Sequence, residues 1–301
     1  MAATSKQNYL DPQVLNRLGN MSLVARCCVQ GFFSGLHPSP FHGFSVEYSD
    51  HRQYERGDDL RFLDWKAYAR SDKLYIKRFL QETNVPVHIL LDASNSMTFS
   101  GESDYSKLSY GCFLSAALAF LMLGQGDSVG LTIFNDKIRT KIPPRSRRTH
   151  LHALLQALQQ TKGSGQTDLG SVLHTFAETT SRRGIVILIS DLLDDKEEIQ
   201  RALAHLKFLQ HDILLFHTLD HMELALSYDG LVQFEDMESD RRVQVYPKAI
   251  KEAYQEKVAA YLESIEKETG RSQIDYCRLD TSKPLDRAFF AYLGKRKRMR
   301  K

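Results

Sequence analysis

Three short segments carry oxygen side chains in a pattern that suits a metal ion. The stretch LLDASNSM (residues 90–97) ends an apolar run and sets Asp92, Ser94 and Ser96 at alternating positions. GSGQTDLG (163–170) places Thr167 in a Gly-rich turn, and GIVILISD (184–191) puts Asp191 directly after an unbroken apolar run. Two carboxylates and three hydroxyls, without His or Cys, are hard donors that suit Mg²⁺, Mn²⁺ or Ca²⁺ rather than zinc or copper. Two carboxylates balance a divalent charge and hydroxyls bind weakly, so a bound ion keeps an appetite for one more anionic ligand. A partner's Asp or Glu could supply it. No nucleophile or evident base stands beside the set, so the expected chemistry is binding, with no catalytic residue and no organic cofactor. Taken singly, each segment also fits a turn or a helix cap; the conjunction in chain order favours the metal.

The elements around these segments explain how they could meet. Val85 to Leu91 reads as a buried strand, Leu108 to Leu123 as an apolar helix, and Ser128 to Phe134 and Lys137 to Ile142 as strands joined across Asn135-Asp136. Helices are expected over Arg148–Gln160, Asp168–Ser181 and Lys196–Leu209, with GIVILIS and Ile213–Leu219 as further strands. A strand apolar throughout belongs in a sheet covered on both faces. Leu231–Phe234 and Arg242–Tyr246 form a small hairpin, followed by a long amphipathic helix stopped at Gly270. Gln273–Arg278 and Leu285–Leu293 are read as a last strand and helix. This order predicts an α/β fold with a Rossmann-like, mostly parallel sheet flanked by helices. Sites in such sheets form outside the carboxyl ends of strands, where Asp92 and Asp191 both fall, provided the first and fourth strands are neighbours. Residues 1–84 read as a smaller loop- or β-rich module, 85–294 as the main domain and 295–301 as a basic tail.

Composition sets the outer limits. The 301 residues are 42% hydrophobic and 26% charged, ordinary for a globular chain. The net charge of +3 conceals a split, because Lys295, Arg296, Lys297, Arg298, Arg300 and Lys301 leave a body near −3. That balance argues against a nucleic-acid groove. Cys27, Cys28, Cys112 and Cys277 show no zinc spacing and read as reduced thiols. The apolar run Cys112–Leu123 is shorter than the ~20 residues a bilayer needs, and the N-terminus does not resemble a signal peptide. The expectation is a cytoplasmic protein without a membrane partner.

Asp92-x-Ser94-x-Ser96, Thr167 and Asp191 together resemble the metal-ion-dependent adhesion site of von Willebrand factor type A (vWA) domains, which implies Mg²⁺ held by these five residues directly or through water. Ahead of it, Arg52, Tyr54, Gly57, Asp58, Asp59, Arg61, Asp64, Trp65, Ala69 and Arg70 are similar to a pattern in bacterial proteins grouped as domain of unknown function fifty-eight. That resemblance implies an adaptor working with a MoxR-type AAA+ ATPase; the alternative is a metal-dependent hydrolase using Asp168 or Asp191 as base. The remaining polar clusters have plainer readings. Asp58 and Asp59 alternate with arginines and are expected to pair with them, and Trp65 to pack in a core. His217 and His221 start in a strand, where their spacing gathers no ligand set, so a capped or solvent-facing histidine is expected. Asp194 and Asp195 read as helix-start residues, and GSGQTDLG lacks the Lys-Ser/Thr of a P-loop.

Overall fold

The computed structural model describes residues 12–35, 51–54, 65–71, 74–77, 85–238 and 241–299. The chain divides into two compact units, one of residues 1–37 with 85–301 and one of 38–84. Helices α1 (Pro12–Arg17) and α2 (Met21–Gly35) therefore belong to the larger unit, and Leu15, Val24, Ala25 and Cys28 are buried in its core. This corrects the single module expected over residues 1–84. Short helices opening a chain escape notice when their apolar residues complete another element's core instead of forming a stripe of their own.

Within the smaller unit, β1 (His51–Gln53) and β2 (Tyr75–Lys77) pair antiparallel, and α3 spans Trp65–Ser71. Trp65 is 64% exposed and meets Tyr68 edge-on at 6.3 Å, so it does not pack in a core as expected. Gly57, Asp58, Asp59, Arg61 and Asp64 lie outside the described residues, as does the pairing expected of them.

The larger unit is built on β3 (Val87–Asp92), α4 (Lys107–Gly124), β4 (Val129–Phe134), β5 (Ile138–Arg145), α5 (His150–Gln160), α6 (Leu169–Glu178) and β6 (Ile185–Ser190). It continues through α7 (Lys196–Phe208), β7 (Asp212–Leu219), α8 (His221–Ala225), the hairpin β8 (Val232–Glu235) and β9 (Arg242–Val245), α9 (Pro247–Arg271), β10 (Asp275–Asp280) and α10 (Asp286–Met299). The main sheet has the order β10-β7-β6-β3-β4-β5, parallel except for β5. Pro143 and Pro144 are tolerated in β5 because it is an edge strand and its pairing with β4 is irregular between Ile142 and Arg145. α10 continues to Met299, so residues 295–299 are helical where a loose basic tail was expected.

Alternation along the strands divides the core between two faces. Ile89, Leu91, Ile187, Ile189, Leu214 and Phe216 pack with α2, α4, α5 and α10, while Leu90, Val186, Leu188, Ile213 and Leu215 pack with α6, α7 and α9. Burying each such side chain contributes roughly 1.5–3 kcal/mol before conformational entropy is set against it. α4 is long and apolar enough to span a membrane by length and composition, yet it lies at the centre of this core, with Leu114, Ala117, Leu118 and Met122 buried. Its apolar circumference is that of a helix covered on nearly every side.

Candidate functional site

β3 and β6 are parallel neighbours, so their carboxyl ends deliver Asp92 and Asp191 to one edge of the sheet. Both are fully buried. Ser190, the last residue of β6, links the strand ends by donating its hydroxyl to Asp92 Oδ2 at 2.7 Å. The other Asp92 oxygen accepts the Ser94 backbone N–H at 3.0 Å, which curls the following loop back over the strand end. That curl brings the Ser94 and Ser96 hydroxyls within 2.9 Å of each other, both buried.

The Gly-rich loop of residues 161–168 is tied to the same place. Asn95 donates its backbone N–H to Gly165 O at 2.9 Å, Ser164 N–H to Ala93 O at 3.0 Å, and Asn135 Nδ2 to Ser164 O at 2.7 Å. Two glycines make this approach possible. A Cβ on Gly163 would sit 2.2 Å from Thr98 Cγ2 and 3.0 Å from Ser94 O, and Gly165 adopts φ +76° with Asn135 against it. Thr167 thereby stands at the rim, half-buried, where its hydroxyl and backbone N–H bond Glu238 and not the other four residues.

Electrostatics decides what this arrangement can hold. Lys107, at the head of α4 and fully buried, donates to Asp191 Oδ2 at 2.8 Å and to Glu223 Oε1 at 2.6 Å. Burial works against its charge, but the two carboxylates outweigh burial and raise its pKa above the ordinary lysine value. Glu223 closes a capping box with Asp220 at the start of α8, which fixes its carboxylate in place. Asp92 has hydroxyl and N–H partners but no cation among the described residues. Burial first, and then the charge of Asp191, push its carboxyl up to about 7.

A divalent cation suits this imbalance. Of the carboxylates of Asp92, Asp191 and Glu223, Lys107 neutralises one charge and leaves two when Asp92 is ionised. The Asp92, Ser94 and Ser96 oxygens, with Asp191 beside them, are the residues that would hold the ion; Thr167 would join from the rim. Among the described residues no three His, Cys, Asp or Glu side chains are grouped to hold a metal by themselves, so any site here depends on the hydroxyls.

Neighbouring residues fix the shape of the Asp191 loop. His217, for which a capped or solvent-facing position was expected, is fully buried with both ring nitrogens engaged, lying 2.9 Å by Nε2 from Asp191 O and 2.8 Å by Nδ1 from the Tyr276 hydroxyl. A carbonyl can only accept, so Nε2 carries the proton and Nδ1 accepts from Tyr276. Burial pushes the imidazole down to about 4, keeping it neutral for that task. Leu192 then takes φ +55°, a conformation costing roughly 1–3 kcal/mol, held by Ser190 Oγ on its N–H and Tyr261 on its carbonyl. Asp195 caps α7, as helix-start chemistry predicts, while Asp194 reaches across to cap α6 through Leu169 N–H at 2.7 Å. Asp168 caps α6 from within.

Sequence reasoning passed over Lys107, Ser190, His217, Glu223 and Glu238 as parts of this site. Lys107 did leave a signal, being the one charged residue of an otherwise apolar helix. All four cysteines are free thiols, Cys28 and Cys112 being buried; burial pushes Cys112 up to about 12.

Residues 50–263 match the family described as Protein of unknown function DUF58. Uncharacterized proteins of Mycobacterium tuberculosis and Mycobacterium bovis are 27% identical over 234 residues, covering 76% of this chain and 72% of theirs. Among solved structures, the conserved hypothetical protein BatB from Bacteroides thetaiotaomicron aligns at 16% identity and a TM-score of 0.46, over 71% of this chain and 99% of that one. An aerotolerance-related membrane protein from Bacteroides fragilis aligns at 19% and 0.43, over 70% and 99%.

Proposed function

The chain belongs to the DUF58 family, and we propose that it is a non-enzymatic, divalent-cation-dependent protein-interaction module with a vWA-type adhesion site. Asp92, Ser94, Ser96, Thr167 and Asp191 hold Mg²⁺, or Mn²⁺ or Ca²⁺ in its place, and a partner carboxylate completes the site. One observation carries this reading: Asp92 and Asp191 are wholly buried side by side at adjoining strand ends, and Asp92 has no counter-charge among the described residues. Buried carboxylates in that state call for a cation. The partner expected from the family resemblance is a MoxR-type AAA+ ATPase, in a cytoplasmic setting.

The hydrolase alternative needs a free base within reach of a metal-bound water. Asp191 is bound to Lys107 and Asp168 is engaged as a helix cap, which disfavours both. Calorimetric titration with Mg²⁺ and Mn²⁺, followed by capture of a purified MoxR-type ATPase from the same genome with and without EDTA, tests the proposal. Metal binding and EDTA-sensitive capture by the wild type, both lost in Asp92→Ala with its fold intact, are the expected results. Capture unaffected by that substitution sinks the reading, and turnover of phosphate esters lost in the same variant promotes the hydrolase.

A further inference from the structure

The tip of the β8–β9 hairpin lies at the mouth of this site and presents a carboxylate to it. Glu238 directs both oxygens at Thr167: Oε2 accepts the backbone N–H and Oε1 the hydroxyl, each at 3.1 Å. Gln166 Nε2 donates to Glu238 O at 2.7 Å, and Asn95 Nδ2 to Met237 O at 3.2 Å. Asn95 sits between Ser94 and Ser96, and Gln166 adjoins Thr167, so these four bonds land on the proposed ligands or their neighbours. Asp236 shapes the tip by accepting the Glu238 N–H at 3.0 Å.

Charge gives this contact a meaning. Glu238 approaches an edge already holding Asp92 and Asp191, and the positive charge of Lys107 is engaged by Asp191 and Glu223. A carboxylate is expected to avoid such a rim unless positive charge stands there, which Arg241 and Arg242 of the adjoining cleft supply in part and a bound cation would supply in full. The hairpin is also built to let go. Its ladder has four residue pairs, Gln233, Glu235, Arg242, Val243 and Gln244 are exposed, and it is not part of the main sheet. Two-stranded ribbons of this length are marginal by themselves. A polar cleft of about 510 Å³ beside it, lined by Gln166, Glu235, Asp236, Glu238, Arg241 and Arg242, leaves room for a competing acidic segment.

We propose that the β8–β9 hairpin is a plug acting in cis, in which Glu238 supplies the carboxylate that a partner's Asp or Glu supplies when the hairpin lifts. This rests on the metal-dependent reading above. A site closed nine-tenths of the time binds its partner about tenfold more weakly than an open one, so removing the plug strengthens capture on the order of tenfold.

The test uses the full chain loaded with Mn²⁺ and the probe acetyl-Gly-Glu-Gly-amide, its side-chain protons relaxed by the ion when it binds. Glu238→Ala is expected to bind the probe roughly tenfold more tightly than the wild type, with no gain for the Gln-containing peptide. Mg²⁺ is expected to slow amide exchange over residues 232–238 in the wild type but not in Glu238→Ala or Glu238→Gln. Equal probe binding by wild type and variant, with Mn²⁺ bound to both, overturns the plug alone. Mn²⁺ binding lost only in Glu238→Ala makes Glu238 an obligatory ligand and also overturns it. Mn²⁺ bound by neither protein ends the metal reading and the plug with it.

Discussion

Replacing Asp92 with asparagine separates a site awaiting a cation from a merely structural cluster. In an unfolded chain an aspartate titrates near 4; here burial and Asp191 push Asp92 up to about 7. The folded protein therefore holds that proton more tightly than the unfolded one between about pH 4 and 7, and stability drains away as pH rises through this window. Above pH 7 the full cost is present. At about 1.4 kcal/mol per tenfold change in proton affinity it reaches at most on the order of 4 kcal/mol. Asparagine keeps the shape, accepts the Ser94 N–H and carries no charge, so Asp92→Asn escapes the cost. In EDTA the variant should match the wild type at about pH 4 and below and exceed it by at most roughly 8–16 °C in Tm near pH 7.5, taking about 2–4 °C per kcal/mol.

Other groups tilt the pH profile, but they do so in both proteins. His88 and His217 are pushed down to about 4, chiefly by burial, and their neutral forms add stability as pH rises from 4 to 6.5. Taking the difference between variant and wild type at each pH removes that slope. Mg²⁺ should then narrow the gap, because a ligand at a hundred times its Kd stabilises the wild type by about 2.7 kcal/mol and leaves Asp92→Asn nearly unchanged. Differential scanning fluorimetry across pH, with and without Mg²⁺, reads both effects. A gap that is flat with pH in EDTA, or a Mg²⁺ gain shared equally by the two proteins, would falsify the reasoning.

Lys107→Met should lower unfolding stability by about 3–5 kcal/mol in urea, since it strands Asp191 and Glu223 without their buried cation; a loss below 1 kcal/mol contradicts the ion triad. Gly163→Ala drives a methyl into Thr98 and the Ser94 carbonyl. Calorimetry should show Mg²⁺ affinity falling at least tenfold while stability drops by only about 1–3 kcal/mol. His217→Gln removes a buried neutral imidazole whose contribution is present above pH 6.5 and lost towards pH 4. Acid unfolding of this variant should show a shallower slope over that range, and an unchanged slope would place the acid sensitivity elsewhere.

The parallel core was legible because its signals are local. GIVILIS announces a strand covered on both faces, and it became β6, with Ile187 and Ile189 on one face and Val186 and Leu188 on the other. Asp92 and Asp191 were readable as neighbours once the first and fourth strands were assumed adjacent, and β3 does lie beside β6. What escaped depends on contacts across many residues. Leu15, Val24 and Cys28 look like fragments of a separate N-terminal module until α4 appears beneath them. Trp65 invites burial by its type alone, which says nothing of the surface it stands on.

Lys107 shows why the charge state of such a site cannot be read from its donors alone. In sequence it is the first residue of an apolar helix, where a lysine is expected at the surface. Its partners lie 84 and 116 residues further along and converge only because β6 ends beside α4 and α8 turns its capping glutamate inward. Counting Asp92 and Asp191 against a divalent cation gave neutrality without this lysine. With Lys107 and Glu223 added the same sum is recovered, because one extra positive charge arrives with one extra negative. The balance therefore rests on Glu223 as much as on the two aspartates. Glu223→Gln should leave Lys107 in excess and weaken Mg²⁺ binding measured by calorimetry, on the order of tenfold for about 1.4 kcal/mol of added repulsion, although Glu223 is not among the proposed ligands. Unaltered Mg²⁺ affinity in that variant would mean that Lys107 and the ion do not share one charge balance.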